Sequence, residues 1–520
     1  MHADGVALIV PPGWTLITGG PQIGIALLAG ALRPKGIPVS MVDWNIELAG
    51  LFGASISEDQ ARAACAHPVL ESLNQPYFQA QQALDAPLSG SSASWDLQLG
   101  YSDRQFDHRS ASAVFAALQE RSALDGPLQT LAAELLNEGH PRVIGLSVTV
   151  PGQILPALYA ARALRATGFE GRIVLGGNLV TRLGQAMALP WLFDWVDALA
   201  IWQGELSLPL LWEKADRRDW QDIPNLIWHD GHELRVNHSR QLEPAEFTLP
   251  DFQGLPLDRY WGSRFLTSIG SRGCYYGKCS FCSIPYSWGK GGFLGNDSVG
   301  NILQQLTNGV SQFHVNRYKF IEEALHPSLL SAVSTSLQQS DFAVEFEGYA
   351  RFDRPWMEAG NVRSFARAGL KKVYLGMELA RTRTRNILNK SDTADFEDML
   401  SALHDEGIKS HVFCMFGYPG TGVDDAVETI DFALRHEHLI DSLDIFPFYY
   451  ATHTSVLGIR AVPHQDTEWS VEQSYEPLGE DVLSMNEVAV LVEELEGYLW
   501  KVKPAWLHPV YRMVSPWAAV

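Results

Sequence analysis

Cysteine is scarce in this sequence, and apolar runs of membrane-spanning length are missing. The 520 residues contain five cysteines, which is too few for a fold built on disulfides. No apolar run approaches the roughly 20 residues that a helix needs to cross a bilayer. The first residues show neither a basic segment nor a small-residue cleavage site, so we expect no signal peptide. These absences favour a cytoplasmic protein.

Basic residues are also few relative to acidic ones. Lys and Arg number 39 against 60 Asp and Glu, and the formal net charge is −21. Nucleic acids and anionic membranes are bound by basic surfaces. We therefore expect neither a nucleic-acid partner nor a membrane partner, and we interpret the acidic excess as a source of solubility.

Apolar segments of strand length alternate with helical patterns in two blocks of the chain, which indicates an α/β fold class. The first block, residues 1–215, predicts a Rossmann-like, doubly wound domain with a helical insertion at about residues 45–139. Residues 216–262 are rich in Pro and Asp and predict a linker. The second block, residues 263–460, has six strand–helix units that suit a partial (β/α)6 barrel. Residues 461–520 predict a helical C-terminal extension.

Three of the five cysteines, Cys274, Cys279 and Cys282, lie within nine residues directly after a predicted strand. In a reducing compartment such a group of thiols indicates a metal site. Three thiolates can bind three irons of a 4Fe-4S cluster while the fourth iron stays open. A structural zinc site is the alternative, but zinc prefers four ligands and we find no fourth ligand nearby. The other two cysteines, Cys65 and Cys414, are predicted to be buried thiols.

The segment that contains these three cysteines reads GCYYGKCSFC. It resembles the cluster motif of the radical S-adenosylmethionine (SAM) superfamily, including the aromatic residue before the last cysteine. The first gap holds four residues, one more than is usual in that superfamily. The resemblance implies that the open iron binds SAM. It also implies that an electron from a protein such as flavodoxin or ferredoxin cleaves SAM to a 5′-deoxyadenosyl radical.

Acidic and basic residues after the next two strands are similar to the SAM-binding elements of the superfamily. Glu322 and Glu323 follow or end the predicted strand Tyr318–Glu322, and they resemble the acidic element that contacts the SAM amine. Such an ammonium group needs a carboxylate partner. Arg351 follows the third predicted strand, and the resemblance implies a contact with the SAM carboxylate.

Residues at the ends of the fourth and fifth predicted strands are also similar to SAM-binding elements of the superfamily. Glu378 ends the fourth predicted strand and is followed by Asn389 and Lys390. The resemblance places Glu378 near the SAM ribose, although Leu379 stands where the family usually has serine. Gly417 begins a glycine–proline turn after the fifth strand, which the resemblance also assigns to SAM binding.

The first block is similar to cobalamin-binding domains. Ser147-Val-Thr149 follows a predicted strand, and 26 residues separate Thr149 from the pair Gly176-Gly177. Small hydroxyl residues and glycines at strand ends allow a flat corrin to lie close to the backbone. The resemblance therefore implies that these residues line a cobalamin site, with Thr149 standing where the family has leucine.

Two further segments bear on this site. Gly204 and Glu205 resemble an element found where cobalamin-binding domains lead into radical SAM barrels. The family's histidine-bearing loop is absent, since the loop Pro11–Gly20 contains no histidine. We expect Trp14 in that loop to cover a corrin face without coordinating cobalt. The alternative is that the fold is retained without a corrin.

The resemblance implies a cobalamin-dependent radical SAM enzyme. We favour methylation of an unactivated carbon in a natural-product or peptide substrate, with one SAM remethylating the corrin and another supplying the radical. Three alternatives stay open. The enzyme could cyclise, rearrange or oxidise its substrate with the same cofactors, it could work without a corrin, or the chain could be a non-catalytic corrin or cluster sensor.

Overall fold

The computed structural model of the chain divides into two compact units. The N-terminal unit comprises residues 1–264 with 464–471, and the barrel unit comprises residues 265–463 with 472–520. The residues that the structure describes are 4–14, 20–54, 75–96, 100–260, 264–288, 293–295, 299–358, 360–381, 386–390, 394–462, 469–479 and 482–507. Cys65 and most of the loop after Trp14 lie outside the described residues.

A largely parallel sheet forms the centre of the N-terminal unit. The strands of this unit are β1 (Val6–Val10), β2 (Val39–Asp43), β3 (Ala93–Asp96), β4 (Gly100–Asp103), β5 (Val143–Ser147), β6 (Arg172–Gly176), β7 (Ala198–Ala200), β8 (Leu226–His229) and β9 (Leu234–Val236). The sheet order is β2-β1-β5-β6-β7-β8-β9. The first five strands in this order are parallel to one another. Strand β8 pairs antiparallel with β7, and β9 pairs antiparallel with β8.

The order of the parallel strands locates the ligand-binding edge. Strand β1 is buried along its whole length, as expected for a parallel strand that is covered on both faces. Chain order reverses between β1 and β5, as in flavodoxin-like sheets, whose ligands bind beyond the carboxyl ends of the strands at this switch point. The helices of this unit are Ile23–Leu32, Trp44–Leu51, Gln75–Asp85, Ala111–Gln119, Asp125–Glu138, Ile154–Ala166, Asn178–Leu183 and Gly204–Glu213.

Three segments of the chain differ from the sequence-based expectations. The predicted helical insertion also contains the antiparallel hairpin β3–β4. The predicted linker supplies β8 and β9, which extend the sheet beyond β7. The predicted helical C-terminal extension supplies short strands as well, and its Trp469 packs into the N-terminal unit, where its ring stacks on Trp191 at 5.3 Å between centroids.

Parallel strands in chain order form the sheet of the barrel unit. Its strands are β10 (Leu266–Ser268), β11 (Ser271–Gly273), β12 (Phe293–Gly295), β13 (Arg317–Phe320), β14 (Glu345–Ala350), β15 (Leu370–Glu378), β16 (Lys409–Phe416), β17 (Ser442–Pro447), β18 (Tyr450–Ala451), β19 (Ile459–Ala461), β20 (Glu472–Gln473) and β21 (Tyr475–Pro477). In the described part of the chain the main sheet has six strands, in the order β10-β13-β14-β15-β16-β17. All its pairs are parallel, which confirms the predicted α/β class.

Helices cover one face of this sheet. They are Ile284–Ser287, Val299–Phe313, Pro327–Leu337, Asn361–Ala368, Phe396–Asp405, Val423–Arg435 and Met485–Val502. Tyr318 lies on the helical face, since its hydroxyl donates to the Leu306 carbonyl of helix Val299–Phe313. Within the described residues, none of the helices combines the length and the apolar composition needed to cross a membrane.

The opposite face of the sheet buries charged and polar side chains. Lys319, Glu347 and Lys372 occupy one row of paired positions on β13, β14 and β15. The Lys319 ammonium lies 3.9 Å from the Glu347 carboxylate and 4.8 Å from the centroid of the Tyr374 ring. Burial lowers the pKa of Lys372 to about 8. Period-two alternation along each strand therefore separates an apolar face, which packs against helices, from a polar face on the other side of the sheet.

Candidate functional site

The three clustered cysteines follow the first strand of the barrel sheet. Cys274, Cys279 and Cys282 are free thiols with intermediate burial, and we call residues 274–282 the cluster loop. Burial raises the pKa of Cys279 to about 11, opposed by the positive charges of Lys390 and Arg351. Burial also raises the pKa of Cys282 to about 12. Thiols in such surroundings lose their protons when a metal supplies the compensating charge.

The donor chemistry suits iron, because each thiolate of a cubane binds a different iron. Among the described residues, no group of three or more His, Cys, Asp or Glu side chains is arranged around a single metal-ion position. Cys414, by contrast, is fully buried in β16, as its mid-strand position predicts.

Two buried glutamines, Gln305 and Gln153, brace strand ends, although the sequence pattern indicated neither of them. In the barrel unit, Gln305 accepts from the Ser268 hydroxyl and the Ile269 amide at 2.9 and 3.1 Å. Its own amide donates to the Ile269 carbonyl at 2.8 Å. It thereby fixes the chain just before the cluster loop. The available signal was a polar residue among the apolar positions of helix Val299–Phe313.

Hydrogen bonds join the cluster loop to the segment 386–390. The Ser280 amide donates to the Leu388 carbonyl at 3.0 Å. The Asn389 side-chain amide donates to the Lys278 carbonyl, and the Tyr276 hydroxyl donates to the Asn389 carbonyl, each at 2.7 Å. The loop therefore cannot move independently of the segment that follows β15.

Glu378 and Lys390 form a buried ion pair beside this segment. The Lys390 ammonium lies 2.9 Å from the Glu378 carboxylate, with side-chain exposures of 6% and 12%. It also donates to the Gly376 carbonyl at 2.5 Å. A side chain at Gly376 would displace this pair, because a Cβ atom would lie 2.5 Å from the Glu378 carboxylate and 2.7 Å from the Lys390 nitrogen. Glu378 itself has a positive φ of 61°, a strained conformation of the kind found at functional sites.

The structure separates the two candidate acids that follow β13. This strand ends at Phe320 rather than at the predicted Glu322. Glu322 is buried on the helical side, where it lines a small apolar pocket with Ile302 and Val333. One of its carboxylate oxygens accepts from the Gly270 amide, and the other has no partner among the described residues.

Glu323 lies on the side of the cluster loop. The Trp288 indole donates to the Glu323 carboxylate at 3.1 Å, and the charge of Glu323 acts on the Cys282 thiol. Glu322 therefore supports the backbone before the cluster loop, while Glu323 is the acid that neighbours the cysteines.

Replacing Glu322 by Gln is expected to stabilise the ligand-free chain above neutral pH. Burial raises the pKa of Glu322 from 4.5 to about 7. The folded state therefore holds more protons than the unfolded state between these values, and stability falls as pH rises through them. Gln keeps an acceptor for Gly270 and does not ionise. At pH above about 7 the variant should gain on the order of 2 to 3 kcal/mol.

Urea unfolding of both proteins at several pH values measures this difference, which should shrink as the pH falls below 7 and disappear below about 4.5. Glu323→Gln is the matched control, and we expect no comparable stabilisation from it. If Glu322→Gln instead follows the wild-type stability at every pH and binds SAM more weakly, Glu322 is a SAM ligand and not a support.

The remaining SAM-binding candidates of the barrel unit, Arg351 and Gly417, are both buried but have different neighbours. Arg351 and Asp353 are buried, and the Arg351 side chain donates to Asp353 at 3.1 Å. Gly417 is buried, and the position of its missing side chain faces Val488 of the C-terminal helix. Gly417 thus allows this helix to pack against the end of β16.

In the N-terminal unit, Gln153 joins the loops on either side of the switch point. Its carbonyl oxygen accepts from the Thr149 amide at 2.9 Å and from the Thr149 hydroxyl at 3.0 Å. Its amide donates to the Pro11 carbonyl at 2.8 Å. The Thr149 hydroxyl is therefore held by the protein, whereas Ser147 is only partly buried at the carboxyl end of β5.

The insertion hairpin covers the loop after β1. The Tyr101 amide donates to the Gly13 carbonyl at 3.4 Å, and the Trp95 indole donates to the Trp14 carbonyl at 3.4 Å. Trp14 keeps partial exposure, as do Gly176 and Gly177 at the end of β6. Among the described residues at this edge of the sheet, partial exposure is therefore found at Trp14 and at the ends of β5 and β6.

Two of the candidate glycines have close neighbours where a side chain would stand. Gly177 has a φ of 105°, and a side chain there would overlap the Val148 carbonyl. Gly204 begins helix Gly204–Glu213, and a Cβ atom there would lie 3.0 Å from Leu28 of the neighbouring helix. Glu205 is buried in the first turn of the same helix.

Two solved structures share this fold over most of the chain. The radical SAM methyltransferase TsrM from Kitasatospora setae, solved with cobalamin and a 4Fe-4S cluster, superposes with a TM-score of 0.60 at 12% identity, over 95% of this chain and 89% of TsrM. The cobalamin-dependent SAM radical enzyme OxsB, solved with aqua-cobalamin and SAM, gives 0.62 at 13% identity, over 96% of this chain and 66% of OxsB.

These likenesses establish the fold, and the chain spans just under two thirds of OxsB. Neither a protein-family model nor a curated protein matches the sequence.

Proposed function

We propose that this chain is a cobalamin-dependent radical SAM enzyme that methylates an unactivated carbon of a small-molecule or peptide substrate. The observation that carries the proposal is the cluster loop, which brings three free thiols together with two cations and an acid from later strand ends. The same proposal includes a cytoplasmic location and a one-electron protein reductant.

The barrel residues fit a 4Fe-4S cluster and SAM. Cys274, Cys279 and Cys282 would each hold one iron. Glu323 offers a partly exposed carboxylate for the SAM ammonium group, since ammonium and carboxylate groups form strong charge-assisted hydrogen bonds. Glu378 is held by Lys390 at the end of β15, where it would accept hydrogen bonds from a ribose.

The residues of the N-terminal unit fit a flat macrocycle at the ends of β5 and β6. Ser147, Gly176 and Gly177 leave partly exposed backbone there, and Trp14 adds an aromatic surface near the switch point. When bound, the cluster would supply an electron to SAM and cobalamin would carry the methyl group. The protein would hold both in place and exclude water.

The corrin part of the proposal is tested with hydroxocobalamin added to the anaerobically reconstituted chain. We expect bound cobalamin to show an electron paramagnetic resonance (EPR) spectrum without nitrogen splitting in the cob(II) state, because the loop Pro11–Gly20 has no histidine. Gly177→Ala should weaken corrin binding by about tenfold, or roughly 1.4 kcal/mol, because the new side chain would displace the Val148 backbone at the end of the sheet. Gly168→Ala is the matched control, since Gly168 has a φ of 93° in open space.

Failure of the wild type to bind hydroxocobalamin would remove the corrin from the proposal. Nitrogen splitting would show that a protein side chain or the corrin's own base coordinates cobalt. With substrate in hand, product mass decides the reaction, because methylation adds a methyl group in place of hydrogen, whereas cyclisation, rearrangement or oxidation does not.

A further inference from the structure

The first gap of the cluster loop is enclosed by contacts from two other strand ends. The Tyr275 hydroxyl donates to the Asp353 carboxylate, and the same carboxylate oxygen accepts from Arg351 at 3.1 Å. The Arg351 guanidinium lies over the Tyr276 ring, 3.9 Å from its centroid. A guanidinium that close to a ring face makes a favourable cation–π contact.

The far side of the gap is held by the segment after β15. The Tyr276 hydroxyl donates to the Asn389 carbonyl, and the Asn389 side chain returns to the Lys278 carbonyl. Gly277 turns the chain between them with a φ of 59°. Every residue of the four-residue gap is therefore fixed by a hydrogen bond, a ring contact or a turn.

We infer that Arg351 is a positioning residue of the cluster loop and not a ligand of the SAM carboxylate. Together with Asp353, Tyr275, Tyr276 and Asn389 it forms a clamp that accommodates the additional residue of the first gap. This inference rests on the proposed iron–sulfur cluster, because the clamp acts on that cluster's ligands.

The positive charge of Arg351 should also affect the reduction potential of the proposed cluster. Arg351 is 6% exposed, so its positive charge is weakly screened by solvent. It lies over the Tyr276 ring, inside the cluster loop and three residues before Cys279. Positive charge and hydrogen bonding around a cluster set its reduction potential. Arg351 should therefore make the cluster easier to reduce.

Replacing Arg351 by Gln tests this inference in the reconstituted full chain. We expect wild-type iron content, a more negative midpoint potential in an EPR titration, and SAM affinity by calorimetry within about twofold of the wild type. Arg351→Lys should recover most of the potential because it retains the charge, although not the planar stacking. Arg363→Gln is the charge-matched control, since Arg363 pairs with Glu406 on the surface, and it should leave the potential unchanged.

Tyr276 gives a second test that keeps the arginine. Tyr276→Phe loses the hydrogen bond to Asn389 but retains the ring under the guanidinium, whereas Tyr276→Leu removes both, so the leucine variant should change the line shape of the cluster signal more than the phenylalanine variant does. An Arg351→Gln protein with an unchanged potential overturns the inference, and so does a loss of SAM affinity of about tenfold or more. A wild-type chain that binds no iron would instead contradict the proposed function.

Discussion

Replacing Cys274, Cys279 and Cys282 together by Ala is expected to abolish both iron binding and SAM cleavage. Wild-type chain reconstituted without oxygen should hold about four irons and four sulfides at this site. The triple variant should hold none there, because Ala offers no donor and a cluster cannot assemble on the remaining loop. Iron and sulfide assays, together with chromatography of SAM products after chemical reduction, measure both effects.

Cys414→Ala is the matched control, since it also removes a thiol but from the buried core of β16. It should retain full iron content. The interpretation of the cysteine group as a cluster site fails if the triple variant retains reductive cleavage of SAM. It also fails if the wild type binds zinc in preference to an iron–sulfur cluster.

Replacing Lys390 by Met should produce the largest loss of stability among the site variants. The change leaves the Glu378 carboxylate without its ammonium partner at a side-chain exposure of 12%. Removing one partner of a buried ion pair costs about 3 to 5 kcal/mol. SAM affinity should fall as well, because Glu378 would lose its position, while iron content should stay unchanged. Chemical unfolding and calorimetric titration with SAM measure the two effects.

Two further variants separate the loss of the buried ion pair from the loss of a lysine alone. Lys503→Met removes an exposed pair with Glu437 and should cost no more than about 1 kcal/mol. The double variant Lys390→Met, Glu378→Gln should be more stable than Lys390→Met alone, because the buried charge is gone. A Lys390→Met protein that unfolds like the Lys503→Met protein would show that the buried pair contributes little.

The sequence predicted most of the strands because their signals are local. Strands such as β1 and β5 are short apolar runs bounded by turn residues. Strands β8 and β9 were missed because they lie among Pro, Asp and charged residues, and all three residues of β9 are exposed. Their assignment comes from the pairing of β8 with β7 and of β9 with β8, and such pairing is not visible in the local sequence pattern.

For the candidate site, the sequence predicted the group of three cysteines but not the contacts around it. The three cysteines are neighbours in the sequence, so their spacing alone indicates a shared role. Glu322 and Glu323 could not be separated, because a shift of one residue at a strand end exchanges the two faces of the sheet. The stacking of Arg351 on Tyr276 and the bracing by Gln305 depend on contacts between distant segments. No spacing rule encodes such contacts.

The most direct test of the central claim is the EPR spectrum of the reduced, reconstituted chain with and without SAM. An open iron beside Cys274, Cys279 and Cys282 should give a reduced 4Fe-4S signal whose line shape changes when SAM is added, and the triple cysteine variant should show no such signal. A wild-type signal that SAM leaves unchanged, or the absence of any cluster signal, would contradict the account.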